Sequence, residues 1–392
     1  MNTARQGRPF FFNPGPTNIP ERVLKAMASP SMDFFAPEFM DIHRYCHAGL
    51  MRVLKTEQRL FIYPSTGHGA WEASIVNVFS PGDLVLVMES GFFSERWATM
   101  AEHLGVRAET LPADWDQGVT AEALQARLEA DTGHEIKGVL AVHNETATGM
   151  THPVAGYRKA MDAAKHPALL MSDTISSLGS IDFRMDEWGV DVAVGGSQKG
   201  LMLPTGLGFT GVSEKALAAS KQATLPRKYL DWRTLEGREP QDFPGTVPVH
   251  MFFGLNESLH MLEEEGLEQV FARHTRFGEA TRRAVKAWGG AGEGPRLFCQ
   301  VPDRLSNSVT AVLMPEGHDA EALRKAATRY NLSLGGGLTR LAGKVFRIGH
   351  LGDLNEPMLL GALSTIELAM RTAGIPHASG GAEAAIAYLA DM

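Results

Sequence analysis

The chain has 392 residues, 44% of them apolar and 21% charged, with a net charge of −8. That length exceeds what one hydrophobic core usually serves, so two domains are expected. A mildly acidic chain with no basic run or arm is a poor partner for nucleic acid or for an anionic membrane surface.

Residues 1–20 carry Pro9, Pro14, Pro16 and Pro20 and are expected to form an extended arm. Their apolar run is too short for a signal peptide, and no apolar segment is long enough to span a membrane. Apolar spacing then predicts helices over RVLKAMA and MDIHRYCHAGLMRVLK. RLFIYP is a short strand, followed by STGHGA and the helical WEASIVNVF. Strand DLVLVME, helix FSERWATMAEHL, strand VRAETLP, helix TAEALQARLEA and strand GVLAVHNE follow in turn. Helix VAGYRKAMDAAK leads to strand ALLMSD, and strand DVAVGGS precedes Lys199. Strands alternating with helices imply a mostly parallel sheet covered on both faces. The stretch 221–256 breaks the rhythm as a long excursion rich in Pro, Arg and aromatics. Two helices are expected over 248–265 and 268–288. Strand SVTAVLM, helix DAEALRKAATRY, strand KVFRIGH and helix MLLGALSTIELAMRTA then read as a smaller α+β domain, with a short terminal helix. The expected division is an arm over 1–20, a large domain over 21–255 and a small domain over 256–392.

Cys46 and Cys299 lie in no Cys-x-x-Cys or Cys/His spacing, so no metal site is expected. Two scattered thiols fit a reducing, cytoplasmic compartment.

Ligands of open α/β sheets sit at the carboxyl ends of the strands. Polar residues stand at several such ends: Thr66, Gly67 and His68; Asn144, Glu145 and Thr146; Asp173; Ser197, Gln198 and Lys199. STGHGAWEA opens a helix whose free N–H groups favour a phosphate, though it serves equally as a flexible helix start. It is neither a dinucleotide fingerprint nor a P-loop. Asp173 suits a turn cap, or a buried carboxylate paired with a protonated pyridine nitrogen. Lys199 is either a snorkelling lysine or a desolvated, nucleophilic amine. Arg347, at the end of an apolar strand, is a surface arginine or a bidentate fork for a carboxylate. An amine that forms a Schiff base, an acid for a ring nitrogen and a phosphate-binding helix end together describe a pyridoxal phosphate site.

The residues resemble the class V, fold-type I aminotransferases, in the serine–glyoxylate and alanine–glyoxylate group. NPGPTNIPERV, GHGAWEASIVNVFSPGD, VHNETATGM, EEGLEQVFARH and GKVFRIGHLGD carry the likeness, and SDTISSLGS through GGSQKG is its most specific block. The resemblance implies a large domain with a seven-stranded, mostly parallel sheet covered by helices, plus a smaller C-terminal α+β domain. It implies pyridoxal 5'-phosphate on Lys199, with Asp173 at the pyridine nitrogen and Thr146 near the ring hydroxyl. Phe93 would stack on the ring, and Thr66, Gly67, His68 and Gln198 would surround the phosphate. Thr246 would reach the phosphate of a neighbouring subunit in a homodimer whose sites lie at the interface. Arg347 would clamp the substrate carboxylate.

The chain departs from the group's pattern twice. At 33-DFFAPEF-39, Phe34 and Phe35 replace polar residues near the expected substrate entrance, which makes Phe35 a candidate substrate contact beside Thr146 and Arg347. Phe243-Pro244-Gly245 stands where relatives carry a tyrosine beside Thr246. The implied reaction is transamination from a small L-amino acid, serine foremost, to glyoxylate, with aspartate and alanine as alternative donors. Aspartate would want a second cation, for which Arg340 is the nearest in sequence. A related desulfurase or lyase would need a mobile catalytic cysteine, and Cys299 lies in an apolar run. A cofactor-free lysine aldolase would leave Asp173 and the glycine-rich turn without a role. A non-catalytic binding protein would not need Lys199, Asp173 and Arg347 together.

Overall fold

The computed structural model describes residues 8–290 and 292–391. The arm contributes a short strand, β1 (Phe10–Phe12), and then runs irregularly to α1 (Glu21–Met27). Residues 1–7 of the expected arm lie outside the described residues. α2 (Pro37–Leu54) starts with proline at its first position, where the missing N–H costs nothing, and stops at Lys55 in a left-handed conformation.

The alternating part follows as β2 (Arg59–Tyr63), α3 (Gly67–Val78), β3 (Leu84–Met88), α4 (Phe92–His103), β4 (Arg107–Leu111) and α5 (Ala121–Ala130). The Thr120 hydroxyl caps α5 by accepting from Ala123 N. β5 (Ile136–Val142) ends before a small hairpin of β6 (Asn144–Glu145) and β7 (Met150–Thr151). Next come α6 (Val154–Ala163), β8 (Leu169–Asp173), β9 (Val192–Gly196), β10 (Gly208–Val212) and α7 (Glu214–Gln222), the last capped by Ser213.

The large sheet has seven strands in the order β2-β10-β9-β8-β5-β3-β4. Pairing is parallel from β9 to β4, whereas β10 runs antiparallel to both β9 and β2. The period-2 alternation of strand side chains decides the two layers. Leu60, Ile62, Leu86, Val139 and Leu170 face a core with α2, α5 and α6. Phe61, Tyr63, Val85, Leu140 and Met171 face a second core with α3 and α4. Both faces are therefore dry, which is why the inner strands read as unbroken apolar runs.

The 221–256 excursion holds a short helix, α8 (Trp232–Leu235), whose Trp232 stacks on Phe61 at 5.4 Å. α9 (Val249–Glu265) follows and packs on α1 and α2. α10 (Leu267–Gly289) then carries the chain across. Its Val270 and Phe271 join the core of the large sheet, while Phe277, Ala284 and Trp288 join a separate core. The expected division at 255/256 thus falls inside α9, and the change of core lies within α10. A long helix shows no break in pattern where its neighbours change.

The second core is built on β11 (Arg296–Leu297), β12 (Val309–Leu313), α11 (Ala320–Arg329), β13 (Leu332–Gly336), β14 (Val345–Gly349), α12 (Glu356–Ala373) and α13 (Gly381–Ala390). Its sheet runs β1-β13-β14-β12-β11, so the N-terminal arm belongs to the C-terminal unit through parallel pairing of Phe10–Phe12 with Leu332–Leu334.

Candidate active site

The carboxyl ends of β5, β8 and β9 open on a cavity of about 200 Å³. Asp173 is the last residue of β8, paired with Val142 and Val194 on the flanking strands. Its carboxylate is 4% exposed and points at this cavity. Oδ1 accepts from Ile175 N at 2.7 Å and Oδ2 from Trp71 Nε1 at 3.2 Å. Burial pushes its pKa up to about 7, against those two donors and the attraction of Lys199.

Lys199 sits in the turn after β9, 8% exposed, with its amine in the cavity wall. Burial, with the nearby Arg347 charge, pulls the amine down to about 7 against the attraction of Asp173 and Glu145. Nζ donates to the carbonyl of Pro14 in the N-terminal arm. A lysine in this state is half neutral at pH 7 and therefore nucleophilic.

Thr146, 4% exposed, follows the β6 hairpin residues and lines the cavity. Its carbonyl accepts from Arg347 Nη1 at 3.1 Å. Arg347 comes from the other unit, on β14 between Ala311 of β12 and Gly335 of β13. Its Nε donates to Gly336 O at 2.8 Å. Burial lowers the guanidinium to about 10, with Glu145 opposing, so it stays charged at neutral pH.

Phe93, on the first turn of α4, lines the same cavity and meets Trp71 edge-on at 6.3 Å. α3 begins at Gly67 with no side-chain bond from its cap residue Thr66, which is exposed. Gly67, His68 and Gln198 line the cavity, and Gln198 Oε1 is buried without a hydrogen-bond partner. The residues present fit pyridoxal phosphate. An uncapped helix start suits the phosphate, a buried carboxyl suits the ring nitrogen, and a neutral amine suits the aldehyde.

Tertiary folding therefore brings Gly67, His68, Phe93, Thr146, Asp173, Gln198 and Lys199 to one cavity, with Arg347 bonded to its wall. Phe35 and Thr246 stand elsewhere in the chain. Phe35 is 61% exposed and packs on Phe34 at 4.4 Å. Thr246 is exposed on the excursion. Beside it, a Cβ on Gly245 would meet the ring of Tyr229 at 3.5 Å, and the Tyr229 hydroxyl donates to Pro244 O at 3.2 Å. Sequence reading did not pick out Trp71 or Ser176 as cavity residues. Asn144 was legible as a strand-end polar residue. Nothing local marks a tryptophan one turn into an apolar helix as a partner for Asp173.

Cys299 is 5% exposed, and burial raises its thiol pKa. A mobile nucleophilic cysteine is the opposite of that environment.

Residues 9–339 match the family Aminotransferase class-V. The chain is 47% identical to an L-aspartate–glyoxylate aminotransferase of Paracoccus denitrificans, covering 95% of this chain and 94% of that one. It is 46% identical to a serine–glyoxylate aminotransferase of Methylorubrum extorquens, over 99% of this chain and 97% of that one. Among solved structures it is similar to a pyridoxamine–pyruvate aminotransferase from Mesorhizobium loti, with a TM-score of 0.90, 28% identity and full coverage of both chains (100% and 100%).

Proposed function

The chain belongs to the class-V aminotransferases, pyridoxal phosphate enzymes that transaminate, and on that premise we propose that it moves the amino group of a small L-amino acid, serine foremost, to glyoxylate, leaving glycine and a 2-oxo acid. One observation carries the reading: Lys199 and Asp173 line one cavity, the amine and the carboxyl each brought to about 7, and Arg347 is bonded to its wall at the Thr146 carbonyl. Pyridoxal phosphate, when bound, supplies an aldehyde that takes up the amino group and a ring that accepts the electron pair of the Cα–H bond.

The chain's own residues do the rest. Lys199 would hold the aldehyde at rest. When released, its amine has a pKa suited to taking the donor's Cα proton as base and returning a proton as acid. Asp173, anchored on both oxygens, would keep the ring nitrogen protonated. Arg347 spends Nε and Nη1 on backbone carbonyls, and so offers Nη2 and its remaining Nη1 hydrogen to the donor carboxylate. Thr146, Phe93, Gln198 and the start of α3 would hold the ring and phosphate.

Three of the relatives are serine–glyoxylate enzymes, at 46%, 47% and 43% identity, and one is an aspartate–glyoxylate enzyme at 47%. Aspartate brings a second carboxylate. Arg340, the cation considered for it, is engaged with Glu89 at 3.1 Å and with Glu95, and lies over the Trp115 ring at 4.8 Å. Serine therefore ranks first, with aspartate or alanine as the second reading. The exposed Thr246 is the feature in favour of a homodimer in which this segment serves the neighbour's phosphate. No helix among the described residues is long and apolar enough to cross a membrane, and the cytoplasm is the compartment we propose.

The deciding experiment compares kcat/KM for serine, alanine and aspartate with glyoxylate as acceptor. Serine should lead. A lead for aspartate changes the donor, and no turnover with any of the three overturns the reading.

A further inference from the structure

Glu145 takes no part in the proton transfer above, yet its side chain is fully buried behind the cavity wall. α4 starts at Phe92, and its cap residue is Gly91, which has no side chain to accept from the first free N–H groups. Glu145 supplies that acceptor from the β6 hairpin. Its Oε2 accepts from Phe93 N at 3.1 Å and Ser94 N at 3.4 Å, with Ser90 Oγ at 3.5 Å. Burial pushes this carboxyl up to about 7, while the backbone donors and the aligned peptide dipoles at this helix end favour its charged form. The other oxygen, Oε1, accepts from Ala147 N at 2.9 Å. That bond closes the turn around Thr146, whose carbonyl receives Arg347 Nη1. Gly91, at φ 153°, makes the approach possible, because a Cβ there would stand 2.7 Å from Glu145 Cγ. Arg347 and Glu145 also attract one another across this wall.

We propose that Glu145 is a positioning residue: its two oxygens brace the Phe93 backbone and, through Ala147 N, the turn that carries Thr146, and so fix the ring-facing aromatic and the carboxylate-binding arginine relative to each other. The inference rests on the proposed roles of Phe93 and Arg347. A cap serving stability alone would leave substrate and cofactor binding unchanged in the folded enzyme.

E145Q tests it, because glutamine keeps the volume but turns an N–H₂ group toward backbone donors. In the holoenzyme the donor KM should rise at least about tenfold, with kcat within about threefold. The visible circular dichroism of the bound cofactor should change, and the pyridoxal phosphate dissociation constant should rise several-fold. Donor KM and dissociation constant both within about twofold of wild type, or a fall in kcat alone, overturn the proposal. If E145Q does not fold, G91A, which keeps the carboxylate but displaces it, is measured in the same way. If neither folds, Glu145 is a structural cap and the proposal fails. A wild-type enzyme that binds cofactor but transaminates none of the three donors refutes the proposed function instead, and the cofactor constants of E145Q still report on Phe93.

Discussion

Trp71 Nε1 donates to Asp173 Oδ2 at 3.2 Å, so an indole from α3 holds one oxygen of the β8 carboxylate in a fixed direction. The other oxygen is held by Ile175 N at 2.7 Å. Neither donor is a full charge, and burial in a dry wall outweighs them and the attraction of Lys199. Asp173→Asn keeps the shape and removes the negative charge. We expect kcat to fall by about 10²-fold or more while the protein folds and binds cofactor, measured by steady-state kinetics and cofactor absorbance. Wild-type kcat in Asp173→Asn would remove the ring nitrogen from the account.

Lys199→Ala should lose the absorbance of the protein-bound aldehyde and at least about 10³-fold of turnover. The check is a spectrum of the purified variant reconstituted with pyridoxal phosphate, followed by single-turnover kinetics with serine.

The amine at about 7 sets a pH dependence for cofactor capture by the protein free of it. Only the neutral amine attacks an aldehyde. The capture rate should therefore climb from pH 6 to pH 8 and level off above, instead of climbing toward the ordinary lysine value of 10.5. Stopped-flow absorbance across this range measures it.

Asp173 gives a stability signature of its own. Its folded-state pKa is raised from 3.8 to about 7, so the folded chain holds that proton more tightly than the unfolded chain does. Its contribution is fully present below about pH 4 and is lost as pH rises through 7. In cofactor-free protein, Asp173→Asn should therefore gain in Tm relative to wild type between pH 4 and pH 7. A constant difference over that window contradicts the burial argument.

Arg347→Lys keeps a charge but loses the planar fork and the two backbone bonds that aim it. The donor kcat/KM should drop about 10²-fold, mainly through KM. Arg340→Ala is the contrast. Its side chain is 61% exposed and paired with Glu89 and Glu95, so serine kcat/KM should stay within about threefold and Tm should change little.

Much of the fold was legible because helix and strand periods are local properties. The run GVLAVHNE reads as a strand wherever it lies, and it became β5 with the β6 hairpin residues at its end. β10 was missed because Gly208 and Gly211 weaken a five-residue pattern, and its antiparallel neighbours β2 and β9 are what make it a strand. β13 was missed for a similar reason: Leu332–Gly336 ends in glycines and is completed by β1, far away at the start of the chain.

By itself the sequence determined the alternating α/β plan, the strand ends that carry polar groups, and the candidacy of Lys199, Asp173 and Arg347. Those depend on residue type and short spacing. Tertiary structure alone decided that Arg347 from the second unit meets the Thr146 carbonyl, that Trp71 anchors Asp173, and that Glu145 caps a helix it does not adjoin in sequence. It also decided the charge states, since a pKa is set by how much water folding removes and which charges it brings near, and neither is a property of neighbours along the chain.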